Sequence, residues 1–250
     1  MPGDLSASKQ AMRNHVLGAL SALVLCATAA QAGEAASPSE DGFLSMFNGR
    51  DLTGWEGKPG WWRVEDGCLT SESTKEKPCT QCNYLMWRGG KPADFEFRCE
   101  YRLVGGNSGI QFRSRELPDW DTYGYQADME AGDQWTGCLF EHKRGGVAMR
   151  GEKVTIAKDG KKEVARLGDP KELLSHVKKN DWNSYRVIAS GPEVTLEING
   201  VVMTQVRDLQ SAAREGVIAL QMHPGPPMKV QFRNLRIKML EAPRTAPQKP

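Results

Sequence analysis

Strict alternation of apolar and charged residues over residues 94–103 is the feature that most constrains the fold. A period of two is the period of a β-strand, in which neighbouring side chains point to opposite faces. The segment reads DFEFRCEYRL, so one face carries Phe95, Phe97, Cys99, Tyr101 and Leu103, and the other carries Glu96, Arg98, Glu100 and Arg102. The sequence therefore predicts a long strand with one buried face and one solvated face.

Strand signals recur at short spacing through the rest of the chain, and only residues 170–179 (PKELLSHVKK) indicate a helix. The dipeptide Asn199-Gly200 between two apolar runs is typical of a type I′ hairpin turn. Many short strands separated by turns favour a sandwich of two antiparallel sheets, so the predicted fold class is all-β. We expect the wet face of a curved sheet to form the binding groove. The other predicted strands cover residues 185–189, 194–198, 201–206, 217–222 and 229–240.

The N-terminal residues have the organisation of an export signal. An apolar run at residues 16–30 follows Arg13 and ends in the A-x-A motif Ala30-Gln31-Ala32. No later apolar run is long enough to span a membrane. We therefore expect a secreted or periplasmic protein without a transmembrane segment after cleavage. The predicted organisation is a signal peptide (1–32), a linker (33–41), one β-sandwich domain (42–240) and a disordered tail (241–250).

Charge and cysteine content narrow the function further. The formal net charge of +2 over 250 residues gives no sign of a basic stripe, so we expect no nucleic-acid partner. Cys79 and Cys82 have the spacing of a zinc or redox motif, but the chain has no second such pair and no histidine close by. In an exported protein, a local disulfide between these two is the favoured interpretation. Cys99 shares the apolar face of the first strand and is expected to be a buried thiol. The sequence does not indicate the oligomeric state.

Polar residues at strand spacing follow this first strand, between residues 105 and 142. Because Ile110 and Phe112 should face the core, Gln111 and Arg113 should point to the opposite face. Similar parity arguments in later strands bring out further amides, carboxylates and a histidine, which suit a polyhydroxylated ligand and acid–base chemistry. Ordinary solvated positions on a sheet face are the alternative. The candidate substrate-binding residues are Asn107, Gln111, Gln126 and Gln221, and the candidate catalytic residues are Arg113, Asp128, Glu141 and His223.

Several familiar catalytic motifs do not occur in the sequence. It contains no GxSxG nucleophile elbow, no HExxH and no Walker loop. The glycines of residues 105–109 (GGNSG) lack both the GxGxxG spacing and a following helix, so they predict a tight turn. The E-x-D-x-x-E strand that supplies the nucleophile and acid of laminarinase-type retaining glycosidases is also missing.

Short motifs follow one another in order along nearly the whole chain after the signal peptide. They are FNGRDLTGW (47–55), GNSGI with Phe112-Arg113, GYQAD (124–128), Trp182-Asn183, Asn199-Gly200 and FRNL (232–235). In this order they resemble the 3-keto-disaccharide hydrolase domain family of secreted bacterial proteins. The resemblance implies a jelly-roll sandwich of the concanavalin A-like lectin and glucanase type. One departure is Gly124, where many family members carry Glu.

The resemblance also implies a reaction on a sugar already oxidised to a ketone at C3. A base removes the acidic C2 proton, the enolate expels the C1 substituent, and water adds to the enone. On chemical grounds Asp128 or Glu141 is the base, Arg113 the electrophile and His223 the proton donor. A divalent metal held by Asp128, Glu141 or His223 is the alternative electrophile. The expected partner is a small-molecule or oligosaccharide substrate, and a lectin-like module without catalysis is the alternative function.

Overall fold

Two β-sheets pack face to face in the computed structural model, which describes residues 41–210 and 213–241. The predicted signal peptide, the linker apart from Asp41 and the tail apart from Glu241 lie outside the described residues. The described part consists mainly of strands, with one short helix and one 3₁₀ turn. None of its helices is long and apolar enough to cross a membrane. The predicted all-β sandwich of two sheets is confirmed.

The larger sheet, sheet A, has ten strands. They are β1 (Leu44–Ser45), β3 (Trp62–Glu65), β4 (Cys68–Ser73), β6 (Phe95–Val104), β11 (Glu152–Ile156), β12 (Lys162–Arg166), β13 (Asn183–Ser190), β14 (Glu193–Ile198), β15 (Val201–Asp208) and β17 (Met228–Met239). Their order is β12-β11-β15-β14-β13-β6-β17-β4-β3, with β1 beside β17. Neighbouring strands are antiparallel except β11 and β15, which run parallel.

The smaller sheet, sheet B, has seven antiparallel strands in the order β10-β9-β8-β7-β16-β5-β2. They are β2 (Trp55–Gly57), β5 (Asn83–Trp87), β7 (Asn107–Leu117), β8 (Asp121–Glu130), β9 (Leu139–Glu141), β10 (Gly145–Ala148) and β16 (Val217–Met222). A 3₁₀ turn (Pro118–Trp120) joins β7 to β8. The outer face of each sheet is defined here as the face that points away from the other sheet.

The core lies between the sheets and follows the predicted alternation. The odd-numbered side chains of β6 from Phe95 to Leu103 are buried, and Ile110, Phe112 and Leu220 of sheet B are buried as well. The ring of Phe95 meets that of Phe112 edge-on, with 6.1 Å between the centroids. Fully burying such a side chain contributes about 1.5–3 kcal/mol. These contacts therefore fix which face of each strand points outward.

Two predicted turns are confirmed. Asn199 and Gly200 have φ values of 52° and 78°, and two positive φ values in succession are what a type I′ turn requires. Gly105 and Gly106, at 71° and 62°, join β6 to β7. A Cβ on Gly105 would lie 2.7 Å from the carbonyl oxygen of Pro227, so only glycine fits this close approach.

The predicted helix is present but shorter than expected. It begins after Asp169, whose carboxylate accepts hydrogen bonds from two backbone N–H groups of the first turn, and α1 spans Pro170–Ser175. Val177 N donates to Leu174 O, three residues back, so the last turn tightens. Asn180 then adopts a left-handed φ of 58°, which a helix cannot continue through.

The predicted disulfide between Cys79 and Cys82 is wrong, because both thiols are free. Cys79 is buried in the core, and its Sγ lies 3.1 Å from Gln81 O. The Sγ of Cys82 instead lies 3.5 Å from the side-chain amide of Gln221, on the outer face of sheet B. The two thiols therefore lie in different environments, one in the core and the other on the outer face of sheet B. Cys99 is a buried thiol, as predicted.

Candidate functional site on the outer face of sheet B

A continuous network of buried amides crosses the outer face of sheet B. Antiparallel pairing places Gln111 of β7 opposite Gln126 of β8, and Gly109 opposite Asp128. Gln221 of β16 joins the network from the other side of β7. These four polar side chains are at most 4% exposed, so their hydrogen-bonding groups must be satisfied by one another. The amide network is defined as Gln111, Gln126, Gln221, Asp128 and Tyr84.

Hydrogen bonds link the members of the amide network in series. Gln111 Nε2 donates to Gln126 Oε1 at 2.8 Å. Gln126 Nε2 donates to Asp128 Oδ1 at 2.5 Å and to Gln221 Oε1 at 3.2 Å. Gln221 Nε2 then donates to the hydroxyl of Tyr84 at 2.9 Å. Gln126 is thus the branch point that connects the carboxyl group to both neighbouring strands.

The network ends at a buried serine on one side and at an exposed histidine on the other. Ser114 Oγ donates to Gln111 Oε1 at 2.7 Å at one end. At the other end, Tyr84 Oη lies 3.4 Å from Nε2 of His142, whose side chain is exposed. A proton acceptor in solvent contact is therefore coupled to the buried amides through one phenol group.

Asp128 is the titratable group at the centre of the network. Burial raises the pKa of Asp128 to about 8, nearby Glu130 adds a small rise, and the hydrogen bond from Gln126 acts in the opposite direction. The backbone is held from sheet A, because Tyr185 Oη donates to Asp128 O at 3.1 Å. A fixed carboxyl group with such a pKa exchanges its proton near neutral pH, as a general base or acid requires.

Gly109 makes room for this arrangement. A Cβ at this position would lie 2.5 Å from Cδ of Gln126, a distance that side chains do not tolerate. The missing side chain therefore allows Gln126 to lie flat across β7 and reach both Asp128 and Gln221.

The predicted orientation of Arg113 is wrong. A β-bulge shifts the register of β7 between Phe112 and Arg115, and Arg113 has a left-handed φ of 48°. The extra residue turns this side chain away from Gln111 and towards sheet A. Its guanidinium donates to Ala93 O at 2.8 Å, to Gly191 O at 2.7 Å and to Asp94 Oδ1 at 2.9 Å. Arg113 thus ties the two sheets together and does not face the amide network.

Glu141 is separated from Asp128 by the sheet itself. It lies opposite Tyr125 in the register, and the ring of Tyr125 belongs to the core. Its carboxylate pairs with Arg144 at 2.9 Å, and Arg144 also pairs with Asp208 at 2.7 Å. The two carboxyl groups proposed as alternative bases therefore point to opposite faces of sheet B.

His223 and Asn107 lie at the rim of the outer face. Both are partly exposed, and Asn107 is opposite Glu130 in the register. Nδ1 of His223 lies 2.6 Å from Pro224 O, so this nitrogen carries the hydrogen and Nε2 is left to face other partners. His223 directly follows β16, two residues after Gln221, as the sequence pattern predicts.

The predicted metal candidates do not form a ligand set. Asp128 and Glu141 lie on different faces of sheet B, and no hydrogen bond joins His223 to either of them. Over residues 41–210 and 213–241, no three or more His, Cys, Asp or Glu side chains are grouped so that they could hold a metal ion. Asp128, Glu141 and His223 therefore do not fit a shared metal ion.

Sequence reasoning missed Tyr84 and an aromatic row made of Trp135, Phe140 and His142. Phe140 lies opposite Gln126 in the register, its ring meets Trp135 at 5.9 Å, and it meets His142 at 5.8 Å. The alternation around Glu141 contained the signal for Phe140, which had to face the other way. Tyr84 gave no such signal, because its strand reads NYLMW and its only polar residue besides the tyrosine is at the first position.

Fold and site together define a two-sheet β-sandwich with amides, one titratable carboxyl group and partly exposed rings on one sheet face. The profile of the 3-keto-alpha-glucoside-1,2-lyase-like domain matches residues 42–238. The chain belongs to this family, and the resemblance drawn from the short motifs is confirmed. Family membership points to an enzyme of the glycosyl hydrolase type that acts on a carbohydrate.

One curated relative and two solved structures are similar to parts or most of this chain. A 3-keto-disaccharide hydrolase of Bacteroides thetaiotaomicron is 30% identical over 92 residues, which are 34% of this chain and 31% of that protein. The match thus spans less than a third of the relative's length. A Parabacteroides distasonis structure that carries the name of a glycosyl hydrolase has a TM-score of 0.52 at 18% identity, covering 80% of this chain and 95% of that one. The carbohydrate-binding module CBM66 from Bacillus subtilis reaches 0.51 at 15% identity, covering 75% and 96%. At these identities the two structures show the fold alone.

Proposed function

We propose that the protein cleaves 3-keto-glycosides by proton abstraction at C2, elimination and water addition. The observation that carries this proposal is the carboxyl group of Asp128, which is held by amides on a sheet face and has a pKa of about 8. The family and the relative from Bacteroides thetaiotaomicron support the choice of a 3-keto sugar. Export to the periplasm or the medium is part of the same proposal, based on the N-terminal sequence.

Asp128 is the base in this mechanism. The C3 ketone makes the C2 hydrogen acidic, and the Asp128 carboxylate takes it as a proton while the electron pair of the C–H bond moves onto the ketone oxygen as an enolate. The enolate then reforms the ketone, a C1–C2 double bond forms and the C1–O bond breaks. Water adds at C1 and a proton returns to C2, so the sum is hydrolysis. A base with a pKa close to the working pH serves both proton transfers.

The amide network supplies the electrophile in place of Arg113, whose guanidinium is committed to Ala93, Gly191 and Asp94. Gln111 Nε2 makes one hydrogen bond within the buried network, and in this mechanism its second N–H donates to the developing enolate oxygen once the substrate has reached the network. Such a donor is already fixed by its neighbours before the substrate binds.

The leaving oxygen needs a proton, and two histidines flank the site. His223 lies at the end of β16, and its Nε2 is available because Nδ1 donates to Pro224 O. His142 is the second candidate, because it contacts the phenol of Tyr84 and is exposed at the rim. Single variants His223→Gln and His142→Gln separate these roles, because only loss of the donor is relieved by a substrate with a more acidic leaving group.

The test is an assay of the purified full-length protein on a 3-keto-disaccharide and on its unoxidised counterpart, with and without added divalent metal. We expect reducing sugar and a 3-keto monosaccharide from the first substrate only. Asp128→Asn should lower kcat/KM by about 10²–10⁴-fold, which is the typical contribution of a general base. Glu141→Gln should have a smaller effect, because that carboxylate lies on the other face of the sheet.

A matched control is Glu100→Gln, which removes a carboxylate from the outer face of sheet A and should leave turnover unchanged. No turnover under any metal condition, or equal turnover by Asp128→Asn, would overturn the proposal.

Carbohydrate binding without chemistry is the second candidate function, and the aromatic row favours it. Trp135 and Phe140 are partly exposed and sit beside the amides, and aromatic side chains commonly present one apolar and one wet side to a ligand. Calorimetry with unoxidised disaccharides decides between the two functions. Strong binding that Asp128→Asn leaves unaltered, combined with no turnover, would favour a lectin-like module.

A further inference from the structure

A second site adjoins the amide network at one end of the sandwich. It is a cavity of about 930 Å³, which is within the usual size range of small-molecule sites. Ser114 and Gly124 form its border with the network, since Ser114 bonds to Gln111 and Gly124 precedes Gln126 by two residues. This basic pocket is defined by Lys91, Arg115, Tyr123, Lys143 and Arg144.

The cations of the basic pocket fall into a paired and an unpaired group. Arg144 is held by Glu141 and Asp208, at 2.9 and 2.7 Å. Within the described residues, Lys91, Arg115 and Lys143 form no ion pair with a carboxylate. Glu215 is the one lining carboxylate besides Glu141. The cavity therefore has an excess of positive charge on its exposed side.

Buried donors without acceptors point the same way. Nη1 of Arg144 is buried and has no hydrogen-bond partner, although the other nitrogens of this guanidinium are engaged. Nη1 of Arg214 is also buried without a partner, although this side chain does not itself line the cavity. An unpaired guanidinium donor in a low-dielectric place is costly, and an oxyanion is the acceptor that fits its geometry best.

Tyr123 adds an apolar surface to this charge. Arg115 stacks on its ring at 4.6 Å, which holds the guanidinium at the mouth of the cavity. The ring of His142 lies 6.0 Å from Tyr123, so the same wall continues to the solvent-exposed end of the amide network. A ligand on the outer face of sheet B can therefore reach the basic pocket around the edge formed by His142 and Tyr123, although Glu141 and Arg144 of the pocket belong to the opposite face.

We propose that the basic pocket binds the oxyanion of an acidic sugar, either a uronate carboxylate or a sulfate ester, that forms part of the substrate. The proposal rests on the proposed function in one respect, namely that the substrate is a glycoside bound at the amide network. The sugar unit beside the one that reacts then carries the charge. Arg115 and Lys143 attract it, and Arg144 Nη1 donates to it.

Calorimetry of the full-length protein tests this without any reaction. The probes are methyl glucuronide, glucose 6-sulfate, methyl glucoside and inorganic sulfate. We expect at least one of the two acidic sugars to bind about tenfold or more tightly than methyl glucoside, with an affinity that falls as salt is added. Whichever acidic sugar binds identifies the group that the pocket accepts.

Variants locate the binding. Arg115→Gln combined with Lys143→Gln should weaken binding of the acidic sugar by about tenfold, because both charged contacts are lost while the buried pairs of Arg144 stay intact. The matched control is Arg63→Gln combined with Arg207→Gln, which removes the same charge from exposed ion pairs of sheet A and should change nothing.

Three results would overturn the proposal: equal affinity for methyl glucuronide, glucose 6-sulfate and methyl glucoside, equal affinity for inorganic sulfate and the acidic sugars, or full binding by the pocket variant. Its failure is distinct from failure of the hydrolase, because Asp128→Asn should still bind the acidic sugar. Turnover of a neutral 3-keto-disaccharide is measured separately and bears only on the reaction.

Discussion

The outer faces of the two sheets arise from the same alternating pattern, yet they treat their carboxyl groups in opposite ways. On sheet A, Glu96 pairs with Arg186 and Glu100 pairs with Arg233, each at 2.7 Å. Although burial acts to raise them, these ion pairs hold the pKa values of both glutamates below their usual range. On sheet B, burial raises the pKa of Asp128 to about 8, and its carboxyl group accepts a hydrogen bond from the side-chain amide of Gln126.

The difference separates a solvated surface from a site. A carboxylate beside an arginine stays charged and is occupied by its partner, so it contributes to the surface and to little else. A carboxyl group surrounded by amides keeps its proton close to neutral pH and can release it when a substrate needs a base. The identity of the neighbours, and not the carboxyl group itself, decides which role follows.

The largest expected effect on stability concerns Arg113, which sequence alternation places on the outer face of sheet B and the structure places between the sheets. Arg113→Ala should lower the free energy of unfolding by about 3–5 kcal/mol, because it leaves Asp94 and two carbonyl groups without their buried partner. Urea denaturation measures the loss. Arg98→Ala is the matched control on sheet A, where the arginine is partly exposed and Glu96 keeps Arg186 as a partner, so the loss should be about 0.2–1 kcal/mol. Equal losses of unfolding free energy for the two variants would mean that Arg113 holds the two sheets together no more than a surface arginine does.

The next effect is a pH dependence of stability that has opposite signs on the two faces. The pKa of Asp128 is about 8 in the folded chain against 3.8 for the free side chain, so the folded state binds the extra proton between these values. The contribution of this proton to stability is fully present below pH 3.8. It falls by about 1.4 kcal/mol per pH unit as the pH rises towards 8. Asp128→Asn should abolish this slope in urea titrations at a series of pH values.

Glu100 provides the contrast for this measurement. Its pKa is lowered, so its contribution is present above the unfolded value and is lost as the pH falls through the folded one. Glu100→Gln should therefore lower stability at neutral pH, have little effect at acidic pH, and change the slope of stability against pH only on the acidic side. A slope for Asp128 that survives the Asn substitution would show that another group causes it.

A smaller effect is expected from filling the space beside Gln126. Gly109→Ala places a Cβ 2.5 Å from Cδ of that side chain, so the amide must move away from Asp128. Overpacking of this kind costs about 1–3 kcal/mol, and we expect kcat/KM to fall about tenfold or more through the lost amide contact. Gly168→Ala is the control, since its Cβ would meet only the flexible end of Leu173 at 3.2 Å. Unchanged turnover by Gly109→Ala would argue against a role for Gln126.

The smallest effect is expected on the outer face of sheet A. Arg233 pairs with Glu100 and stacks on Trp182 with 3.9 Å between guanidinium and ring centroid, but both contacts are partly exposed. Arg233→Gln should change the free energy of unfolding by about 1 kcal/mol and leave turnover unaltered. Thermal unfolding and the 3-keto-disaccharide assay check the two statements. A large loss of activity would mean that this face also contributes to the site.

Much of the fold followed from local patterns, because the period of two in residues 94–103 and the Asn199-Gly200 turn need no distant information. The same parity placed Gln111, Gln126 and Gln221 on one face, where the structure has them. Sequence reasoning failed at Arg113, since a bulge inserts one residue and reverses the direction of the next side chain. A bulge depends on contacts with sheet A that lie far away along the chain.

Tyr84 and the basic pocket could not be predicted from the sequence for a different reason. Tyr84 belongs to a strand that is buried on both sides, so its sequence does not alternate and gives no face. The basic pocket combines Lys91, Arg115 and Lys143 from separate loops and strands. Their spacing along the chain does not predict that the three side chains line one cavity, because the fold alone brings them together.

The serial hydrogen bonds of the amide network have a direction. The Nε2 of each glutamine donates a hydrogen bond to the next acceptor, from Gln111 through Gln126 and Gln221 to Tyr84. An ionised Asp128 accepts from Gln126, whereas a protonated one has a hydrogen to give and suits the oxygen end of that amide. Gain of one proton therefore favours rotation of the Gln126 amide, which would change its hydrogen bonds to Gln111 and Gln221. We expect the side-chain amide NMR signals of all three glutamines to move together as Asp128 titrates, so that the sheet face works as a relay between its buried acid and the phenol at its edge.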